Sequence, residues 1–162
     1  MRLLPTRHFT VLATFAVAAM IVGTSGLQVA GAATRATSPN IVARVGHLEI
    51  INPSLPEDRS SPLLAPIYLT VKNTGSKADS LVSVSSPVSS NVMLMSGNGS
   101  SMSMVSALRI PAHGEAQLTP SRVHLMLGQP KVKFKVGKTV LVTLRFEHSG
   151  SVTLNVPIVR SH

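Results

Sequence analysis

None of the 162 residues is cysteine. This excludes disulfides, thiolate metal sites, a cysteine nucleophile and a lipid-modified cysteine anywhere in the given sequence. It also excludes a blue-copper electron-transfer centre, which needs a thiolate ligand. Tryptophan is absent, and beyond residue 33 the aromatic side chains are Tyr68, Phe134 and Phe146. That is too little stacking surface for nucleic acid, and no nucleic-acid partner is expected. Asp and Glu number only six and are scattered, with Glu57 and Asp58 the one adjacent pair. No Gly-x-Ser-x-Gly motif occurs, and no catalytic constellation emerges, so the chain does not read as an enzyme. The longest uncharged apolar run, Val11 to Val22, is shorter than the roughly 20 residues of a spanning helix.

That run is part of an expected signal peptide over residues 1–33. Arg2, Arg7 and His8 precede it, and Ala30-Gly31-Ala32 supplies a small-residue cleavage pattern. The destination is extracytoplasmic: periplasm, cell envelope or secreted. Retention as an anchor is the alternative, because Ser25 to Val29 could extend the run. Residues 34–40, polar and ending in Ser-Pro-Asn, read as a linker, and residues 41–159 as one domain. Without Arg2 and Arg7 the chain keeps thirteen basic residues against six acids. Lys131, Lys133, Lys135 and Lys138 concentrate four of them. They read either as a solvated face that discourages edge pairing or as a surface for loose association with a membrane or cell wall.

Hydrophobic alternation runs through the domain at period two. Ile67, Leu69 and Val71 alternate with Tyr68, Thr70 and Lys72, and Val140, Val142, Leu144 and Phe146 repeat the pattern. Val152, Leu154, Val156 and Ile158 do so again. Turn signals separate these runs at Asn73-Thr74-Gly75, Gly97-Asn98-Gly99, His113-Gly114, Gly137 and Ser149-Gly150. Asn98-Gly99-Ser100 fits a glycosylation acceptor but reads as a tight turn. The expected fold is all-β, an antiparallel β-sandwich or Greek-key barrel. Residues 52–66, with Pro53, Pro56, Pro62 and Pro66, read as a long ordered loop without strand pairing.

Five methionines and a histidine gather in one stretch: Met93, Met95, Met102, Met104, His124 and Met126. They form three i, i+2 pairs, and on a strand such pairs share a face. If Val92, Leu94, Val123, Leu125 and Leu127 face the core, the sulfurs of Met93, Met95 and Met126 and the His124 ring point away from it. Methionine buried as a gap-filler would lie among the aliphatics instead. Neutral thioethers with one imidazole suit a soft ion, Cu(I) or by the same softness Ag(I), and disfavour zinc, calcium and magnesium. An imidazole binds metal only when neutral, so affinity should fall in acid. The competing readings are an exposed partner patch and second-sheet packing. His47, His113 and His148 are isolated and read as surface or turn residues.

The order of motifs resembles the periplasmic copper chaperones of the PCu(A)C family, over about residues 41–159. Residues 65–75, APIYLTVKNTG, and 79–87, DSLVSVSSP, carry the generic part of the likeness. Asn91 to Met95, Met102-Ser-Met104, Ile110 to Gly114, Val123-His-Leu-Met-Leu127 and Val140 to Glu147 complete an ordered set ending in His-x-Met. The resemblance implies a cupredoxin-like monomer that binds Cu(I) and passes it to a membrane or exported copper enzyme such as cytochrome oxidase. It implies Met95, Met104, His124 and Met126 as ligands. Two i, i+2 pairs on neighbouring strands can converge at one end of the sandwich, and a shallow, solvent-near site is expected there because a recipient must reach the ion. Met95 stands where the family usually has histidine. Eight residues separate Met95 from Met104 where the family generally has ten, so Met93 and Met102 remain alternates. The rival from another class is a metal-free structural or adhesive sandwich held to the envelope by its basic face. N-terminal sequencing of protein from the native envelope is expected to begin near Ala32 or Ala33; an intact Met1 in the membrane fraction would mark an anchor instead.

Overall fold

The structure, a computed structural model, describes residues 39–57, 63–98 and 101–161. The leader, residues 34–38 of the linker, the tip of the Gly97–Gly99 turn and residues 58–62 lie outside the described residues. Eleven strands follow in order: β1 (Ile41–Val45), β2 (Leu48–Glu57), β3 (Leu64–Asn73), β4 (Asp79–Ser85), β5 (Asn91–Asn98) and β6 (Ser101–Met104). Then come β7 (Leu108–Ile110), β8 (Glu115–Leu118), β9 (Val123–Gly128), β10 (Thr139–Phe146) and β11 (Gly150–Arg160). No helix occurs among the described residues. The all-β expectation therefore holds.

The strands join in the order β6-β5-β9-β3-β2-β11-β10-β4-β7, with β1 added to β2 and β8 to β3. Pairing is antiparallel throughout except between β2 and β11, which run parallel. The sheet curls so that alternate residues close on one core. Ala65, Ile67, Leu69 and Val71 of β3 meet Val140, Val142, Leu144 and Phe146 of β10 in that core, together with Leu154, Val156 and Ile158 of β11. All of its buried residues lie between Leu48 and Ile158, inside the compact unit Thr37–His162. The period-two pattern works because each strand offers one face to this interior.

The proline-rich segment departs from expectation. β2 continues to Glu57, and Leu55, Pro56 and Glu57 pair with Ile158, Val159 and Arg160 of β11. β3 already begins at Leu64, with Pro66 opposite Met126. The prolines are accommodated because Pro53 sits where the β2–β3 register shifts between Ile51 and Ser54. Asn52, with φ of +49°, makes the local bend, a conformation asparagine tolerates. A proline removes only one donor, and a bulge or a ladder end spares that donor.

Asp79 fastens the ends of this sheet. It is buried at the start of β4. Its Oδ1 accepts from the amides of Ser80 at 2.7 Å and His148 at 3.0 Å, and Oδ2 from Ser149 at 2.9 Å. Burial, the largest influence, pushes the carboxyl pKa up. The Ser149 side chain and the His148, Ser80 and Ser149 amides outweigh it together and hold the group below its ordinary 3.8. A carboxyl depressed on folding adds stability above its unfolded pKa and loses it as pH falls through the folded value. Stability is thus expected to decline in thermal melts as pH drops below about 3.8. Asp79→Asn, which sets an NH2 group against backbone donors, should cost about 1–3 kcal/mol at neutral pH and flatten that acid limb.

Candidate metal centre

Three neighbouring strands bring the donors together. β5 lies between β6 and β9. In its register Met95 stands opposite Met104 on one side and His124 on the other, and Met93 stands opposite Met126. Directly opposed residues share a face, with Cβ atoms about 4.5–5.5 Å apart. Met104, Met95 and His124 therefore form a row across the sheet, and Met93 and Met126 form a second row about 7 Å along the strands. Met102 pairs with Gly97 instead and has no donor directly across from it on β5. Val92 and Leu94 pack against the core, which places the methionines of β5 on the other face, as the alternation implied.

One expectation is corrected. The donors were expected at a shallow, solvent-near site, but His124 is only 4% exposed and Met126 8%. Neither belongs to the aliphatic core cluster. They lie on the opposite face of β9 from Leu125 and Leu127 and are covered there. Tyr68 of β3 contributes to that cover, edge-on to the His124 ring with centroids 6.3 Å apart and planes at 64°. Met93 and Met95 are half-buried, whereas Met102 is 39% and Met104 69% exposed. The row thus grades from a buried imidazole through a half-buried sulfur to an open one.

The imidazole is already oriented. His124 Nδ1 lies 3.3 Å from the Arg122 carbonyl oxygen. A carbonyl can only accept, so in this bond Nδ1 carries the proton, and Nε2 is the nitrogen that a neutral ring would offer to a metal. No cluster of three or more His, Cys, Asp or Glu side chains fit for a metal occurs among the described residues. The donors at this face are one nitrogen and several thioethers, a neutral and soft set. A larger cleft of about 700 Å³ lies elsewhere, lined by His47, Lys77, Asp79 and His148 among others. The Asp79 carboxylate there is occupied by backbone donors.

Two backbone features hold the rows in line. Ser89 Oγ donates to the Gly128 carbonyl at 2.6 Å, pinning the entry of β5 to the end of β9. Gly97 of β5, with φ of +127°, stands opposite Met102 of β6, and a Cβ there would collide with the Ser101 carbonyl oxygen. This glycine reads from the sequence as a turn signal; the structure also shows it allowing β6 to approach closely, in the register that sets Met104 opposite Met95.

The family described as putative lipoprotein LpqE-like matches residues 27–158. A putative lipoprotein, Lxx21020, from Leifsonia xyli subsp. xyli (strain CTCB07) is 33% identical over 93 residues, 54% of this chain and 56% of that protein. The match thus spans about half the length of that relative. Among solved structures, the apo PCuAC domain from PmoF1 superposes with a TM-score of 0.67 at 24% identity, covering 74% of this chain and 98% of that one. The copper-bound PCuAC domain from PmoF2 gives 0.65 at 24%, covering 74% and 97%. The Cu(I) form of DR1885 from Deinococcus radiodurans gives 0.59 at 27% identity, covering 88% and 95%. The fold is that of PCuAC domains, cupredoxin-like. Gly97→Ala is expected to dislodge β6 while sparing the core. Hydrogen exchange should quicken at Val105, whose amide donates to Leu94, and stay slow in the β10–β11 hairpin.

Proposed function

The chain belongs to the LpqE-like family, and we propose on that footing that it is an extracytoplasmic, non-enzymatic copper chaperone that carries Cu(I) on Met95, Met104, His124 and Met126. The observation that carries this reading is the cross-strand row Met104–Met95–His124 with Met126 beside it. Four neutral donors suit a monovalent soft ion because they add no negative charge that burial would penalise. The Cu(I) form of DR1885, at 27% identity, supports the choice of ion.

The exposure gradient suits delivery. Met104 is the most open of the four. An incoming donor from a recipient can displace it first, then Met95, while His124 and Met126 hold the ion from below. The transfer is ligand exchange at constant oxidation state, with no electron to supply or remove. By resemblance, a copper enzyme such as cytochrome oxidase is the recipient. Met93 is the nearest substitute, since it faces Met126 directly; Met102 ranks behind it, facing Gly97.

Mass spectrometry under reducing conditions should find one Cu(I) per chain. Competition titrations should show His124→Ala and Met126→Ala weakening binding by more than the roughly 10–100-fold that loss of a supporting group costs. Met95→Ala should follow, then Met104→Ala, with Met93→Ala and Met102→Ala smaller. Unchanged affinity in both His124→Ala and Met126→Ala would remove the site assignment. A chain that stays metal-free in excess Cu(I) would favour the structural or adhesive reading.

A further inference from the structure

The segment that follows β9 lies outside the metal rows and carries four lysines within eight residues. Lys131, Lys133, Lys135 and Lys138 are all exposed. No acid occurs in the sequence between Glu115 and Glu147. Arg160 of β11 stands opposite Glu57, so that pair adds no net charge nearby. The segment is not a strand but a strap held in place along its length. Lys131 N–H donates to the Val88 carbonyl at 2.8 Å, and Gly137 N–H to the Ile158 carbonyl at 3.1 Å. Phe134 packs against the core between them.

Of the three apolar residues that alternate with the lysines, Phe134 is turned to the core and the two valines are open. Val132 is 47% and Val136 44% exposed. Leu63, 65% exposed, is tied to the same place, because Gln129 N–H donates to its carbonyl at 2.8 Å. The open aliphatics add an apolar element beside the cationic heads. A soluble polyanion would be met by the lysines alone. Cationic heads around a few exposed apolar side chains match one occupant best: a bilayer with anionic headgroups, whose phosphates take the ammonium groups while the interface takes the aliphatics.

We propose that the Lys131–Lys138 strap, with Val132, Val136 and Leu63, docks the domain on an anionic phospholipid surface. The family is described as lipoproteins, and a covalent lipid on such a chain sits on cysteine, of which these 162 residues contain none. The strap gives the folded domain its own reversible attachment. This inference does not depend on the copper reading.

The test is co-sedimentation of a chain beginning at Thr37, which contains the whole core cluster. The probes are phosphatidylcholine vesicles with and without phosphatidylglycerol. The parent should sediment with the anionic vesicles, not with the neutral ones, and be released by raised salt. Joint Lys131→Glu, Lys133→Glu, Lys135→Glu and Lys138→Glu should weaken binding by more than about a hundred-fold, from about five-fold per lysine. Val132→Ser with Val136→Ser should weaken it several-fold. Both variants should keep the parent's melting temperature and Cu(I) affinity, which separates this surface from the metal site. Binding indifferent to phosphatidylglycerol, or a lysine variant that sediments like the parent, overturns the proposal. So does an unaffected valine variant displaced equally by soluble polyphosphate, which would assign the strap to a polyanion instead of a bilayer.

Discussion

The pairing of β5 with β9 is the constraint on which the site depends. Because side chains alternate with period two, a slip of one residue would turn Met93 and Met95 into the core and expose Val92 and Leu94. The register is held from several sides. Ser89 ties the start of β5 to Gly128, and Gly128 itself lies close against Asn91. β3 fixes β9 from its other edge through Ile67 opposite Leu125 and Ala65 opposite Leu127. Leu125 and Leu127 are fully buried, so the aliphatic core and the donor rows are two faces of one alignment. Core packing thereby determines which sulfurs meet.

Charge is treated in opposite ways at the two polar centres of the domain. Asp79 keeps a full negative charge in a buried place, at the cost of desolvation, by collecting backbone donors around it. The proposed metal rows contain no carboxylate, ammonium or guanidinium group. Their one nitrogen ligand is His124, whose Nδ1 lies 3.3 Å from the Arg122 carbonyl oxygen. Every buried side-chain nitrogen and oxygen among the described residues has a partner. Thioethers escape that requirement, since sulfur accepts hydrogen bonds only weakly. That is why several methionines can be half-buried on one face without a supporting polar network.

The period-two runs made the all-β architecture legible, and the alternation of Met93 and Met95 with Val92 and Leu94 separated the donors from the core. Three things were hidden because they depend on contacts distant in sequence. The burial of His124 and Met126 involves β3, whose Tyr68 and Pro66 stand beside them; nothing local to His-x-Met announces it. The proline-rich segment reads as loop because a one-dimensional pattern does not reveal that Pro53 falls at a bulge and Pro56 in a short parallel ladder. Which of Met102 and Met104 stands opposite Met95 depends on the register of the β5–β6 hairpin. Counting residues along the chain measured the length of the connection, while the cross-strand register measures proximity.

The proposed strap begins three residues past the end of β9, the strand that carries two of the proposed donors, so one strand connects the two surfaces. His124 and Met126 sit on that strand, and Gly128, four residues past His124, leads directly into Gln129 and the lysines. At about 3.3 Å per residue, the imidazole lies roughly 13 Å from the root of the strap. β9 is buried along almost its whole length and bonded to β3 and β5 on either side, so it transmits position stiffly. A domain adsorbed through the strap would hold its donor rows at a nearly fixed distance from the lipid surface. Were the recipient a membrane enzyme, as proposed, that confinement would replace a three-dimensional search with one across a surface. Met104, the most exposed of the proposed ligands, remains on β6 at the outer edge of the sheet, away from the β3–β9 side where Leu63 and the strap begin.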